Sequence, residues 1–239
     1  MSLNIFDIGI ILVLIAFIIA GWKLGVVKEA ASFIGLILVF FAAYFLKGIV
    51  GNFLCTIFPF FQFGANIKGL VSLNILIYHA IAFLLLMALL LGLYRLLLKV
   101  SNGLQKLINY TIILAIPSKI LGAIISFVEG WIVVFIILMV VIVPFKDVDQ
   151  FKDSKLNNIV LFHTPVLSKT VKPFINGVVE VYNVSSDISM EKISINEGNL
   201  KSIDIMLKYK IVDKKTIEKL VEIHKLDDVQ NIDSVLSKY

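Results

Sequence analysis

The sequence predicts an all-α integral membrane protein, with four transmembrane helices followed by a small helical C-terminal appendage. Three observations predict it. The 239 residues are 59% hydrophobic and 16% charged, with a mean hydropathy of +0.96, too apolar for an ordinary soluble domain. Four apolar runs each approach the ~20 residues that cross a hydrocarbon core. The charge is also unevenly placed. Up to Phe145, eight basic residues stand against three acids, the whole of the net +5. From Lys146 onward 14 lysines balance 14 acids. The excess positive charge therefore belongs to loops beside a bilayer rather than to a nucleic-acid surface. No basic stripe with interleaved aromatics is present, so nucleic acid is not an expected partner.

The runs cover residues 5–22, 27–45, 73–93 and 120–143. None alternates with period two, and all are too long for strands. An α-helix satisfies its own backbone polar groups in lipid, so each reads as a spanning helix. The first run has no basic residue before it and a poor cleavage site after it, "AGWKLG". It reads as a retained helix rather than a signal peptide. Lys23 and Lys28 follow that helix and none precedes it, which predicts both termini outside the cytoplasm. The bias over the whole chain is weak: six basic residues lie on one side and five on the other, Lys47 and Lys68 of the second connection among the five.

The second connection also holds "FPFFQFG", Phe58 to Gly64. Its rings suit either the membrane–water boundary or packing against helix ends. Leu104 to Ile116 is apolar on much of its surface but too short to span before Pro117, and reads as an interfacial segment. The composition changes at "PFKDVDQFKDSK", dividing the chain into a transmembrane domain, 1–145, and a polar, mostly helical tail, 146–239. Within the tail "VDKKTIEKLVEIHKL" reads as an amphipathic helix. Asp213 is its N-cap, and Ile217, Leu220, Val221 and His224 share one face. Leu200–Lys210 and Asp228–Lys238 are weaker helical candidates.

Candidate functional residues are few. On a wheel with Gly122 at zero, Ser126 falls at about +40°, Glu129 at about −20° and Gly130 at about +80°. Small-xxx-small faces let helix backbones approach closely in lipid. Gly122, Ser126 and Gly130 thus predict a packing seam, with Glu129 facing protein. An ionisable group inside a membrane is costly and is paired, hydrated or neutral. Glu129 is therefore either a structural group, with Arg95 or Lys28 as partner, or part of a path for protons or ions. His79 lies about 9 Å into the third helix and Glu129 about 21 Å inward from Val143, so a direct pair is not expected. Asp7 opens the first helix, where a carboxylate favours the positive end of the helix dipole. Cys55 stands alone, which leaves no intrachain disulfide and no cysteine cluster for zinc. His163 and His224 lack any companion nucleophile elbow or zinc pair. The expectation is no catalytic residue, no metal and no cofactor.

Three stretches resemble the colicin V production protein (CvpA) family of bacterial inner-membrane proteins. Asp7 stands where that family has an acid opening its first helix. "GWKLGVVKE" resembles its Gly-aromatic-basic-basic-Gly turn followed by Glu, through Gly21, Lys23, Gly25 and Glu29. "KILGAIISFVEG" resembles the opening of its last helix, through Lys119, Gly122 and Gly130. Leu24 stands where a second basic residue is common, and Ser126 replaces a middle glycine. The resemblance covers about Asn4 to Phe145 and leaves the tail out. It implies a four-helix protein of the bacterial cytoplasmic membrane associated with peptide toxin production or export and with envelope homeostasis. It supplies no catalytic residues. Some relatives carry an extracytoplasmic serine protease on the same helices, and no protease signature is present here. Three functions stay open: a non-enzymatic factor of that kind, a small channel or transporter subunit using Glu129, and a scaffold whose tail recruits a protein partner. Beyond the lipid bilayer, a partner at the tail and a homo-oligomer also stay open.

Overall fold

The structure is a computed structural model that describes residues 4–64, 69–105, 115–145 and 148–239. Among these residues there is no strand. The helices are α1 (Ile5–Leu24), α2 (Val26–Ile57), α3 (Leu73–Gln105), α4 (Ala115–Phe145), α5 (Asp149–Lys152), α6 (Lys155–His163), α7 (Leu167–Ser189), α8 (Ile195–Lys208), α9 (Lys214–Glu222) and α10 (Asp233–Leu236). The first four are each long and apolar enough to cross a membrane. Their outward side chains are themselves apolar, including Leu12, Ile34, Leu38, Leu89 and Ile124. Water would penalise such a surface and hydrocarbon would not.

Local chemistry sets the helix ends. Asn4 caps α1 in a reciprocal box: its side chain accepts the Asp7 amide at 3.0 Å, and the Asp7 carboxylate accepts the Asn4 amide at 3.3 Å. α1 stops at Gly25, with φ 78° and ψ 167°, a region essentially closed to residues with a Cβ. One residue therefore reverses the chain into α2. Pro117 sits in the first turn of α4, where the amide it lacks has no partner to lose. The most apolar part of each run is shorter than its helix. α2 has 32 residues, α3 33 and α4 31, some 45–50 Å by helical rise against a core of ~30 Å.

The described chain forms two compact units. The first comprises the chain up to Ala43 and Met87–Ser168: α1, the start of α2, the rest of α3, α4, α5 and α6. α1 packs along α4. Phe40 and Phe135 are fully buried, their rings 6.3 Å apart. Tyr94 of α3 fills the space beside Gly35 of α2 and donates its hydroxyl to the Ala31 carbonyl. The composition boundary at residue 145 falls inside this unit, because α5 and α6 return to the start of α1. There Phe6 meets Phe151 edge-on at 5.2 Å, and Asn4 donates to the Gln150 carbonyl.

The second unit comprises Tyr44–Leu86 and Lys169–Tyr239. Leu70, Val184 and Ile188 form a buried cluster, with Leu73, Ile193 and Ile205 against it. Asn199 of α8 accepts the Ser72 amide at 3.0 Å and donates to the Gly69 carbonyl at 2.9 Å. The Lys225 ammonium donates to the carbonyls of Cys55, Thr56 and Phe58 at 2.6–2.8 Å. A cation there satisfies the open carbonyls at the end of α2 and suits its dipole. Burial holds that ammonium below the usual lysine range.

Several expectations meet a different local structure. Lys47 lies within α2, not in a connection. It is buried, with its ammonium over the rings of Tyr44 and Phe174 at 4.9 and 4.3 Å. The aromatic connection gathers Phe58, Phe60 and Phe61 around Tyr78, whose hydroxyl donates to the Pro59 carbonyl. Asp213 caps α9 as its spacing predicts, accepting the Thr216 amide at 2.7 Å, and Ile217 and Leu220 are buried. His224 leaves that face. α9 ends at Glu222, and His224 turns out at φ 60° beside Asp227. Most of the expected interfacial segment, residues 106–114, lies outside the described residues.

Candidate functional site

The first unit holds its polar side chains where α1, α2 and α4 meet. The approach is close because glycine faces glycine. A Cβ built on Gly21 would lie 2.4 Å from the Gly122 carbonyl oxygen and 2.3 Å from the Ser126 Cβ. One on Gly122 would lie 2.5 Å from the Gly21 oxygen and 2.9 Å from Gly25. Real Cβ atoms do not sit so close, so both positions require glycine at this spacing. Gly130 continues the seam under Phe17 of α1. The Ser118 hydroxyl accepts the Val26 amide at 3.2 Å, satisfying one open amide at the start of α2.

Glu29 and Glu129 lie beside this seam. Glu29 is 3% exposed and Glu129 8%. Ser126 of α4 donates to Glu29 Oε1, and Ser32 of α2 donates to Glu129 Oε1 at 2.7 Å. The pairs 29–126 and 32–129 advance together, so α2 and α4 run parallel here. Each helix offers a glutamate and a serine three residues apart, in opposite order. That spacing is about 4.5 Å of rise, so each glutamate finds a serine at its own level. The charges of Glu29 and of Arg95 on α3 both act on Glu129. The second oxygen of each, Glu29 Oε2 and Glu129 Oε2, is buried without a hydrogen-bond partner.

The other sequence-derived candidates take separate places. Lys23 and Lys119 are exposed at the α1–α2 turn end. Asp7 is buried at the opposite end of α1. Its Oδ1 accepts the Ser154 hydroxyl at 2.7 Å and the Leu156 amide at 3.2 Å. Ser154 is the N-cap of α6, so one carboxylate serves the positive ends of two helices. His79 is fully buried in the second unit. Its Nδ1 lies 2.8 Å from the Ile75 carbonyl and its Nε2 3.1 Å from Asn52 Oδ1, while Asn52 donates to Asp213 at 3.0 Å. Cys55 is free and buried. Among the described residues no three His, Cys, Asp or Glu converge as a metal site. Sequence reading missed Ser32 and the part Glu29 plays beside Glu129. The available signal was the mirrored spacing of "EAAS" and "SFVE", Glu29–Ser32 and Ser126–Glu129.

A bundle of four apolar helices, with glycine-to-glycine packing and its polar groups turned inward, defines a polytopic helical membrane protein. Residues 6–165 match the family model described as Colicin V production protein, and the chain belongs to that family. The match runs past residue 145 to take in α5 and α6, the helices tied to Asp7. No curated protein and no solved structure matches the chain.

Proposed function

We propose that this protein is a non-enzymatic factor of the bacterial cytoplasmic membrane that supports peptide toxin production or export, of the colicin V or bacteriocin kind, and envelope homeostasis. The observation that carries the reading is the family match over residues 6–165, which spans all four long helices. Both termini are assigned to the extracytoplasmic side. Lys23, Lys28, Arg95 and Lys119 are exposed at the turn end of the bundle, whereas Lys47 is covered by aromatic rings. That strengthens the positive bias of the turn end. The test is deletion of the gene in its own host. Secreted antibacterial activity and an envelope-stress reporter should both change, and the intact gene should restore them. Unchanged secretion and stress response would remove the reading.

A small channel or transporter subunit is the second reading, favoured by the buried carboxyl pair; proton-dependent flux in liposomes separates it from the first. A scaffold is the third, favoured by the folded helices α7–α10. Photo-cross-linking from Met190, 62% exposed after α7, to one recurrent protein would favour it.

A further inference from the structure

We propose that Glu29 and Glu129 form a single proton-binding site inside the membrane domain, in which one carboxylic acid and one carboxylate share a proton between their otherwise unpartnered Oε2 atoms. The inference does not rest on the role in toxin production.

The geometry carries it. The crossed serine bonds hold the two carboxyls in one buried patch between α2 and α4, one helical turn apart in level, and use one oxygen of each. What remains is two buried acceptors and no donor. A buried acceptor without a donor is costly, and two like charges on neighbouring buried carboxyls in a low-dielectric site disfavour one another. One proton removes both difficulties. The O–H of one acid donates to the other's Oε2, and the pair keeps a single negative charge.

The surroundings agree. From α3, Arg95 acts on Glu129, and the Tyr94 hydroxyl is committed to the Ala31 carbonyl. Lys28 of α2, Lys23 of α1 and Lys119 of α4 are exposed rather than turned into the site. α1 presents Gly21 and Phe17 to the seam, neither of which titrates. Release of the proton places two charges across the α2–α4 contact, so occupancy of the site and closeness of the two helices are linked.

The test is pH-difference infrared spectroscopy of the full chain in lipid nanodiscs, where the carbonyl stretch of a carboxylic acid stands apart from carboxylate bands. Wild type should show one buried acid band at neutral pH that disappears on alkalinisation. Its absence at neutral pH overturns the proposal without recourse to any variant. Glu29→Gln/Glu129→Gln should abolish the band; a band that survives belongs to another carboxyl and overturns it equally. In either single Gln variant the remaining acid loses its like-charged neighbour. It should then release its proton at a proton concentration about tenfold or more higher than wild type does. Unchanged release in both singles would mean two independent groups and sink the shared site. Ser32→Ala and Ser126→Ala keep both carboxyls and should shift the band frequency; no shift in either places the acid elsewhere. Replacing choline by sodium at constant ionic strength should leave the band intact. Its loss would show that a metal cation, not a proton, takes the site.

Discussion

Asp7 shows how one side chain joins the starts of two helices. Its carboxylate closes the cap of α1 on one side and accepts a hydroxyl and an amide from the start of α6 on the other. Bonds to a charged acceptor are worth about 1.5–3 kcal/mol each way they are broken. Asp7→Ala leaves the Ser154 hydroxyl and the Leu156 amide unmet and removes half of the capping box. The expected loss is about 2–3 kcal/mol in detergent, and Asp7→Asn should lose less because its amide oxygen still accepts. Thermal unfolding with a reporter on α6 checks this. Equal stability of Asp7→Ala and wild type would show the clamp to be idle.

At the scale of elements, the seam of α1 and α4 sets how close the helices come. Gly122→Leu or Ser126→Leu must displace backbone or the Ser126–Glu29 bond, and overpacking of this kind costs about 1–3 kcal/mol. Ile124→Leu on the outward face is the matched control, since Ile124 is 55% exposed. Melting of all three in one detergent decides it, and equal tolerance would count against the seam. Much of this level was legible in the sequence. Spanning helices announce themselves by length and apolarity, and small residues at a four-residue spacing announce a close face. The face did not name its partner: nothing in α4 alone says that Gly21 and Gly25 meet it. The carboxyl pair was illegible for the same reason. Glu29 sits in the first turn of the second apolar run and reads as part of the family's turn motif, and nothing near it in the sequence points to Glu129 until α4 is placed beside it. Lys47 misled the reading in a parallel way. A lysine at the end of an apolar run looks like a loop residue, but α2 continues past it to Ile57, and Phe174 of α7 covers its ammonium.

For the whole molecule, four passes would bring the chain back to the side on which it began. The orientation is tested with a cysteine at Ser237, an exposed position near the C-terminus, in a Cys55→Ala background. An impermeant thiol reagent should label it in intact spheroplasts. Labelling only after lysis would reverse the assignment. The removal of Cys55 should itself be mild, because the thiol is buried and free and alanine keeps the backbone geometry; the lost volume costs about 1 kcal/mol.

The contact between Asp7 and Ser154 joins residues 147 positions apart. A ribosome adding about 5–20 residues per second needs roughly 7–30 s to deliver the second after the first. Throughout that interval the carboxylate has only its own cap, and all four hydrophobic segments must thread the translocation machinery before its far partner emerges. The bond then acts as a parity check on insertion. A nascent chain that skipped one segment would leave Asp7 and Ser154 on opposite faces of the bilayer, and neither this bond nor the neighbouring Phe6–Phe151 contact could then form.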